Sequence, residues 1–463
     1  MKITLYGAAG DVTGSSYYLQ TDRSAILIDC GNFQGSKTSE SKNRKLPPVK
    51  IGSLEAVILT HAHLDHCGRL PLLAKAKYHN PVYATPASID IVKLILRDSL
   101  KVQNNDLEKL NRRLIRNGKP PLEPLFTEEE VEDVIKLLSP LPYHEGFYVA
   151  PGIRVKAVEA GHILGSASFE IEVTEQEQTK TVVFSGDLGP SGMPIVRDPE
   201  PPAKADLVFI ESTYGDRDHK PMKETLDEFD SIISATVANK GKILVPSFAV
   251  GRTQDILYYL DVASHEGRLP LFPIYLDSPM AIEATKIYLH HPELYDEEMM
   301  ALSREGQIQR DMNRIHATSS PEESRKINDV PGPCMIIAGS GMCNAGRILH
   351  HLRHNLWNPD TAVIIVGYQA VGTLGRRLVD GAKWVTIFGE RISVRARIYK
   401  LGGFSAHAGQ TDLLKWFNAL APFRPKVVLS HGEDRARLPL AKILRERYGL
   451  NPILPNYGDI IEL

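Results

Sequence analysis

The chain has 463 residues, with 54 basic against 56 acidic side chains and a formal net charge of −2. It is therefore too long for one ordinary core, and any nucleic-acid partner would have to be held by a local groove and not by overall attraction. Four cysteines without a CxxC pair, an N-terminus without an apolar leader ("MKITLYGAAGDVTGSS") and no apolar run near the about 20 residues of a membrane span lead us to expect a soluble, cytoplasmic protein with no membrane partner.

In chain order, short β-rich runs come first: "MKITLYG", "SSYYLQT", "SAILIDCG" and "EAVILTH", followed by the helical pattern "SIDIVKLILRDSLKVQ". A charged stretch from Asn104 to Leu138 is divided by Asn-Gly and Pro-Pro into two helices. The second opens on Thr127 with Glu130 three residues on, a capping box. The Lys/Arg cluster of this stretch reads as a solvated helix face. Strands return in "IRVKAVEAGH", "SFEIEVT", "KTVVFSGD" and "ADLVFIEST".

After Thr213 the texture changes. "GKILVPSFAVGRTQDILYYLDV", "CMIIAGSGMCNAGRILHHL" and "AVIIVGYQAVGTLGRRLVDG" each join an apolar strand, a small-residue loop and a helix, the pattern of a parallel sheet. The tail, "VRARIYKLGGFSAHAGQTDLLKWFNAL" and "PKVVLSHGE", resumes the early style. Residues 1–213 and 393–463 are expected to form a host domain, and residues 214–392 an inserted α/β domain.

Chemistry concentrates in "LTHAHLDHCG", where His61, His63, Asp65 and His66 lie within six positions after an apolar strand. Buried imidazoles and carboxylates are costly unless a cation or hydrogen bonds satisfy them, so this cluster reads as a metal site, with zinc the natural occupant of N/O ligands. The same grammar of apolar strand and polar residue recurs at "VEAGH" (His162), "VVFSGD" (Asp187) and "VVLSH" (His431). Each alone reads as a strand-end polar residue sooner than as a ligand; together they complete two ligand sets.

With these motifs in place the chain resembles the metallo-β-lactamase superfamily, in the beta-CASP branch of RNA nucleases that includes the polyadenylation endonuclease and ribonuclease J. The resemblance implies a four-layered αββα sandwich with an inserted beta-CASP domain. Asp29 in "LIDCG", Glu211 in "IESTYG" and His407 in "GFSAHA" match further motifs of that family. It also implies two zinc ions: one on His61, His63 and His162, the other on Asp65, His66 and His431, with Asp187 bridging and Asp29 behind the ligands. Such a pair activates water and clamps a phosphodiester during in-line attack. His407 would be the general acid for the leaving oxygen and Glu211 would favour its imidazolium form, so Asp65, Asp187, Glu211 and His407 form the expected catalytic set.

The loops of the inserted sheet are expected to grip RNA phosphates through Gly339, Ser340, Gly341 and Met342, with Arg252, Arg347 and Ser405 adding side chains. The expected substrate is single-stranded RNA, reached through a cleft. A small-ester or thioester hydrolase of the same superfamily and a non-catalytic RNA-binding subunit are the competing readings. The inserted domain argues against the first, the full ligand set against the second. Neither N-terminal KH modules nor the long C-terminal extension of ribonuclease J is expected, so target choice would rest on partners or RNA structure. Endonuclease and 5′-exonuclease action are not separated by the residues, and a homodimer is one expected assembly. "HHLRH" (His350, His354) reads as an amphipathic helix face and Cys67 as a small packed residue.

Overall fold

The structure, a computed structural model, describes residues 1–35, 41–304, 315–370 and 372–463. Two compact units divide the chain: Met1–Ser191, Asp198–Asp218 and His407–Leu463 form the first, Gly192–Arg197 and His219–Ala406 the second.

In the first unit, seven strands order as β21-β1-β2-β3-β4-β5-β6: Ile460–Glu462 (β21), Lys2–Leu5 (β1), Tyr17–Gln20 (β2), Ala25–Ile28 (β3), Ala56–Ile58 (β4), Val82–Ala84 (β5) and Leu138–Pro140 (β6). A six-stranded sheet orders as β20-β11-β10-β9-β8-β7: Lys426–Ser430 (β20), Leu207–Glu211 (β11), Gln178–Phe184 (β10), Ala167–Glu175 (β9), Ile153–Glu159 (β8) and Gly146–Ala150 (β7). Alternate residues, Ile3, Leu5, Ile26, Ile28 and Ile58 from one sheet and Val155, Phe169, Ile171, Phe184 and Phe209 from the other, share one apolar core, as the two-residue period of strands requires. On the outer face of the six-stranded sheet, Val183, Val208, Ile210 and Leu429 pack with Trp416, Phe417, Leu440 and Leu444 of the helices Gln410–Asn418 and Asp434–Tyr448. Against the seven-stranded sheet, the helix Pro86–Arg116 packs on β6 and on the helix Glu128–Lys136. The result is the expected αββα layering.

Two local expectations fared differently. The capping box is present: Thr127 Oγ1 accepts the Glu130 N–H and Glu130 Oε2 accepts the Thr127 N–H. The charged stretch from Asn104 does not begin a new helix but continues the one started at Pro86, which ends at Arg116. From Lys101 to Arg116 no residue of this helix is fully buried, so no strong apolar periodicity joined the two halves in the sequence.

The second unit holds a six-stranded, all-parallel sheet in the order β14-β13-β15-β12-β16-β19: Ile315–Ala317 (β14), Ile274–Leu276 (β13), Cys334–Ala338 (β15), Lys242–Pro246 (β12), Ala362–Ile365 (β16) and Arg397–Lys400 (β19). The three look-alike segments supply its adjacent strands β15, β12 and β16. Both faces are buried, Ile243, Val245 and Ile337 in one core and Leu244, Ile336 and Val363 in another, which explains their unbroken apolar runs. β19, which the change of texture grouped with the tail, pairs with β16 in this sheet. As an edge strand it is only partly covered and lacks the apolar signature of its neighbours. A hairpin, Trp384–Ile387 (β17) with Glu390–Ser393 (β18), completes the unit.

Candidate metal centre

Strand ends build the site. Asp29 follows β3, Thr60 and His61 follow β4, His162 follows β8, Asp187 follows β10, Glu211 ends β11 and His431 follows β20. β3 is parallel to β4, and β10, β11 and β20 are mutually parallel, so these C-terminal ends fall on one edge of each sheet. Asp29 (φ 59°) and His431 (φ 46°) both adopt left-handed backbone, a conformation disfavoured for such residues, and turn the chain sharply where each strand stops. The turn holding Asp65 and His66 is pinned by the N–H groups of Cys30 on His66 O (2.8 Å) and of Ser15 on Asp65 O (2.9 Å). Gly31 permits this approach, because a Cβ there would stand 1.6 Å from the Asp65 carbonyl oxygen.

Side chains converge in two groups, His61, His63, His162 and Asp187, and Asp65, His66 and His431, and a third, Asp187, His407 and His431, overlaps both. In the first, His63 Nδ1 lies 3.1 Å from His61 Nε2 and 3.2 Å from His162 Nε2. In the second, His66 Nε2 lies 3.3 Å from His431 Nε2, and His431 Nε2 3.8 Å from Asp65 Oδ2. A tetrahedral zinc shell with Zn–N of about 2.0–2.1 Å has N···N edges of about 3.3–3.4 Å, so the ring nitrogens stand close to ligand spacing. Asp187 divides its oxygens between the groups. Oδ2 is 3.6 Å from His61 Nε2 and 3.7 Å from His162 Nε2, while Oδ1 is 3.4 Å from both His66 Nε2 and His431 Nδ1. Despite those neighbours Oδ1 is buried without a hydrogen bond among the described residues. An orphaned carboxylate oxygen ringed by imidazoles fits a cation between them.

Groups behind the cluster fix the rings. Asp29 accepts from the Thr60 N–H (2.8 Å) and the Thr60 hydroxyl (2.9 Å), and lies 2.8 Å from His66 Nδ1, which leaves His66 Nε2 facing inward. Thr213 Oγ1 lies 3.1 Å from His431 Nδ1. Thr60 and Thr213 were not singled out as site residues in the sequence; their signal there is position, Thr60 just before His61 and Thr213 two residues after Glu211. Burial pushes the His61 imidazole well below the ordinary histidine range and brings His63 down to about 4, so both keep free lone pairs. For His66, burial is outweighed by the carboxylates of Asp187 and Asp29, which carry it well above that range. Burial likewise opposes ionisation of Asp187, but the His431, His66 and His61 imidazoles hold its carboxyl well below the usual carboxylate range.

His407 stands beside both groups. Its Nδ1 is 3.2 Å from Glu211 Oε1 and 3.9 Å from Asp187 Oδ2, and its ring lies 4.6 Å from that of His162. Glu211 is fully buried and anchored, Oε1 accepting the Leu188 N–H and Oε2 the Thr213 N–H. Burial works against the His407 cation, but Glu211 prevails and pushes the pKa up to about 9.

The residues expected to grip phosphate lie in the second unit. Gly339 to Met342 follow β15, beside the loops after β12 and β16; Val371 of the latter lies outside the described residues. The Ser340 N–H is already bonded to Ala345 O. Arg347 is committed to Asp277 Oδ1 (2.7 Å), Thr318 O and Ser319 O. Arg252 is buried and paired with Asp255 at 2.8 Å, with Nη2 unpartnered among the described residues. Ser405 is buried after the turn Gly402–Phe404. Among the described residues His350 and His354 join no metal-capable group, and His350 packs on Phe388. Cys67 is buried, its thiol donating to the Ala62 carbonyl.

The family profile for the metallo-beta-lactamase superfamily matches residues 9–246, that for the Beta-Casp domain residues 253–378, and that for the Zn-dependent metallo-hydrolase RNA specificity domain residues 391–455. The chain belongs to the metallo-beta-lactamase superfamily, in its beta-CASP branch. It is 40% identical over 459 residues to Ribonuclease TTHA0252 of Thermus thermophilus, covering 99% of each chain. It is 31% identical over 475 residues to Transcription termination factor FttA of Methanocaldococcus jannaschii, covering 100% of this chain and 72% of that one. A crystal structure of a protein of unknown function from Enterococcus faecalis matches the fold with a TM-score of 0.54 at 14% identity, covering 100% of this chain and 99% of that one. Among the described residues no helix is long and apolar enough to cross a membrane.

Proposed function

We propose that the chain is a zinc-dependent ribonuclease that hydrolyses phosphodiester bonds of single-stranded RNA to 5′-phosphate and 3′-hydroxyl ends. The observation that carries this reading is the division of the Asp187 carboxylate between two groups of inward-facing imidazoles. His61, His63 and His162 would hold one zinc, Asp65, His66 and His431 a second, with Asp187 shared. Zinc bound there would supply Lewis-acid activation of water and of the phosphodiester.

The protein's own groups do the rest. Asp29 holds the Nδ1 proton of His66 and keeps Nε2 available as a ligand. Glu211 holds His407 by Nδ1 and favours its protonated form, leaving Nε2 to deliver a proton to the leaving 3′-oxygen. RNA as substrate is supported by the RNA specificity profile and by the relative named a ribonuclease. Loops on three adjacent strand ends of the second unit suit a single phosphodiester strand better than a broad duplex. The test is incubation of purified protein with RNA labelled at either end, with a 5′-monophosphate or a 5′-triphosphate. Internal products from both labels would mark an endonuclease and stepwise loss of the 5′ label an exonuclease; intact RNA in the presence of zinc would refute the reading.

A further inference from the structure

The helix Pro86–Arg116 changes character half-way along. Ala87, Ile91, Val92, Leu96 and Leu100 are buried, but from Lys101 to Arg116 no residue is. At 1.5 Å per residue this second half extends about 24 Å. Its half-buried positions, Gln103, Leu107, Asn111 and Leu114, recur every three or four residues and mark one face. The returning chain is tied to that face by Gln103 Nε2 donating to Phe126 O (2.9 Å) and by Asn111, which donates to Leu122 O (3.0 Å) and accepts from its N–H (2.8 Å).

On the opposite face stand Lys109, Arg112, Arg113 and Arg116, all exposed, and Lys119 follows just past the helix end. The stretch "KLNRRLIRNGK" from Lys109 to Lys119 has five cations and no acid, in a chain whose net charge is −2. Lys109 and Arg112 pair with Asp106 and Glu108 on the preceding turn, whereas the side chains of Arg113, Arg116 and Lys119 have no ion-pair partner among the described residues. The helix macrodipole favours cations in the last turn and so accounts for Arg113 and Arg116. The pair with Asp106 accounts for Lys109, and neither accounts for Lys119. A helix segment with no fully buried residue also gains little from packing, and from Lys109 to Lys119 no acid offsets the cations.

We propose that this cationic face is a second contact for the RNA backbone, separate from the metal centre. The partner is a polyphosphate strand because Arg113, Arg116 and Lys119 are exposed, carry no ion-pair partner among the described residues and extend the cations of Lys109 and Arg112 along the helix end, which suits a linear polyanion. The contact is independent of base sequence and lengthens the stretch of RNA that the protein holds. The assignment rests on RNA being the substrate, and the test separates the two claims.

The experiment compares wild type with the triple variant Arg113→Ala, Arg116→Ala, Lys119→Ala, reading kcat/KM at several salt concentrations. One unstructured RNA of about 30 nucleotides and one of about six serve as substrates, and thermal melts check the fold. For single strands each phosphate contact contributes about 0.7 to the slope of log K against log salt. The triple variant should therefore lose about 2 from that slope on the long RNA, with kcat/KM about tenfold lower at low salt, while the short RNA is cut as by wild type. Equal losses on both RNAs would place the effect at the metal centre or in the fold and overturn the proposal. No change on either would overturn it too, leaving the face to an acidic protein or to solvent. A wild type that cuts neither RNA would overturn the ribonuclease reading itself.

Discussion

Glu211 holds His407: the two side chains meet at 3.2 Å through Oε1 and Nδ1, and the carboxylate is itself fixed by the backbone N–H groups of Leu188 and Thr213. A buried, anchored carboxylate both orients the imidazole and stabilises its proton. Replacing His407 by alanine should therefore lower kcat by roughly 10²–10⁴ while zinc content and RNA affinity stay near wild type. Glu211→Gln should give a smaller loss of kcat with unchanged metal content. Loss of one zinc in His407→Ala would mean that this histidine is a ligand, a role its proximity to Asp187 and His431 also permits.

Asp29 touches no other residue of the two metal-capable groups except His66, yet it organises Thr60 as well. Asp29→Ala should leave the ligands in place but weaken zinc retention by about 10–100-fold, read as the chelator concentration that strips half the metal. Equal retention by variant and wild type would mean that the ring of His66 is held by its packing alone.

The chain's organisation was legible where chemistry follows a buried strand. His61, His162, Asp187 and His431 each come directly or within three residues after an apolar run, because each follows a buried strand whose C-terminal end reaches the site edge. The three look-alike segments of the second unit were legible for the same reason. What the sequence concealed lacks periodicity or local spacing. The exposed half of the helix Pro86–Arg116 has no fully buried residue, and β19 is an edge strand. Thr60 and Thr213 act through hydroxyls that no fixed spacing announces. Arg347, expected to face phosphate, is bound by Asp277, a partner 70 residues away that no local pattern predicts.

That partner yields a prediction for stability. Buried Asp277 accepts from Arg347, Thr318, Ser324 and His351 at 2.5–2.7 Å. Burial alone would raise its carboxyl, but the hydrogen bonds from His351, Ser324, Thr318 and Arg347 hold it well below the usual carboxylate range. Because the folded pKa is depressed, its stabilisation is present above the unfolded value of about 3.9 and is lost as pH falls below it. Asp277→Asn should cost about 3–5 kcal/mol at neutral pH. The gap between the wild-type and variant melting temperatures should narrow below about pH 4. A gap of constant size from pH 7 to pH 3 would mean that the carboxylate charge contributes nothing.

Substrate form can be tested with one RNA sequence presented as an unstructured oligonucleotide and locked in a blunt hairpin, at one salt concentration. The unstructured form should be cut at least tenfold faster than the stem, since an A-form duplex is broad and presents its phosphates on a rigid surface. Equal rates inside the stem would contradict a single-strand preference even if the metal chemistry stands.

The central claim is that two zinc ions, held by two groups that share Asp187, make this chain a ribonuclease. The most direct measurement strips the purified protein with a chelator, confirms by melting that it is folded, and titrates zinc back while following cleavage of an end-labelled unstructured RNA. Activity should vanish on stripping and return in full as zinc reaches about two ions per chain, with Asp187→Ala failing to recover at any zinc level. Full cleavage by folded, zinc-free protein would contradict the account.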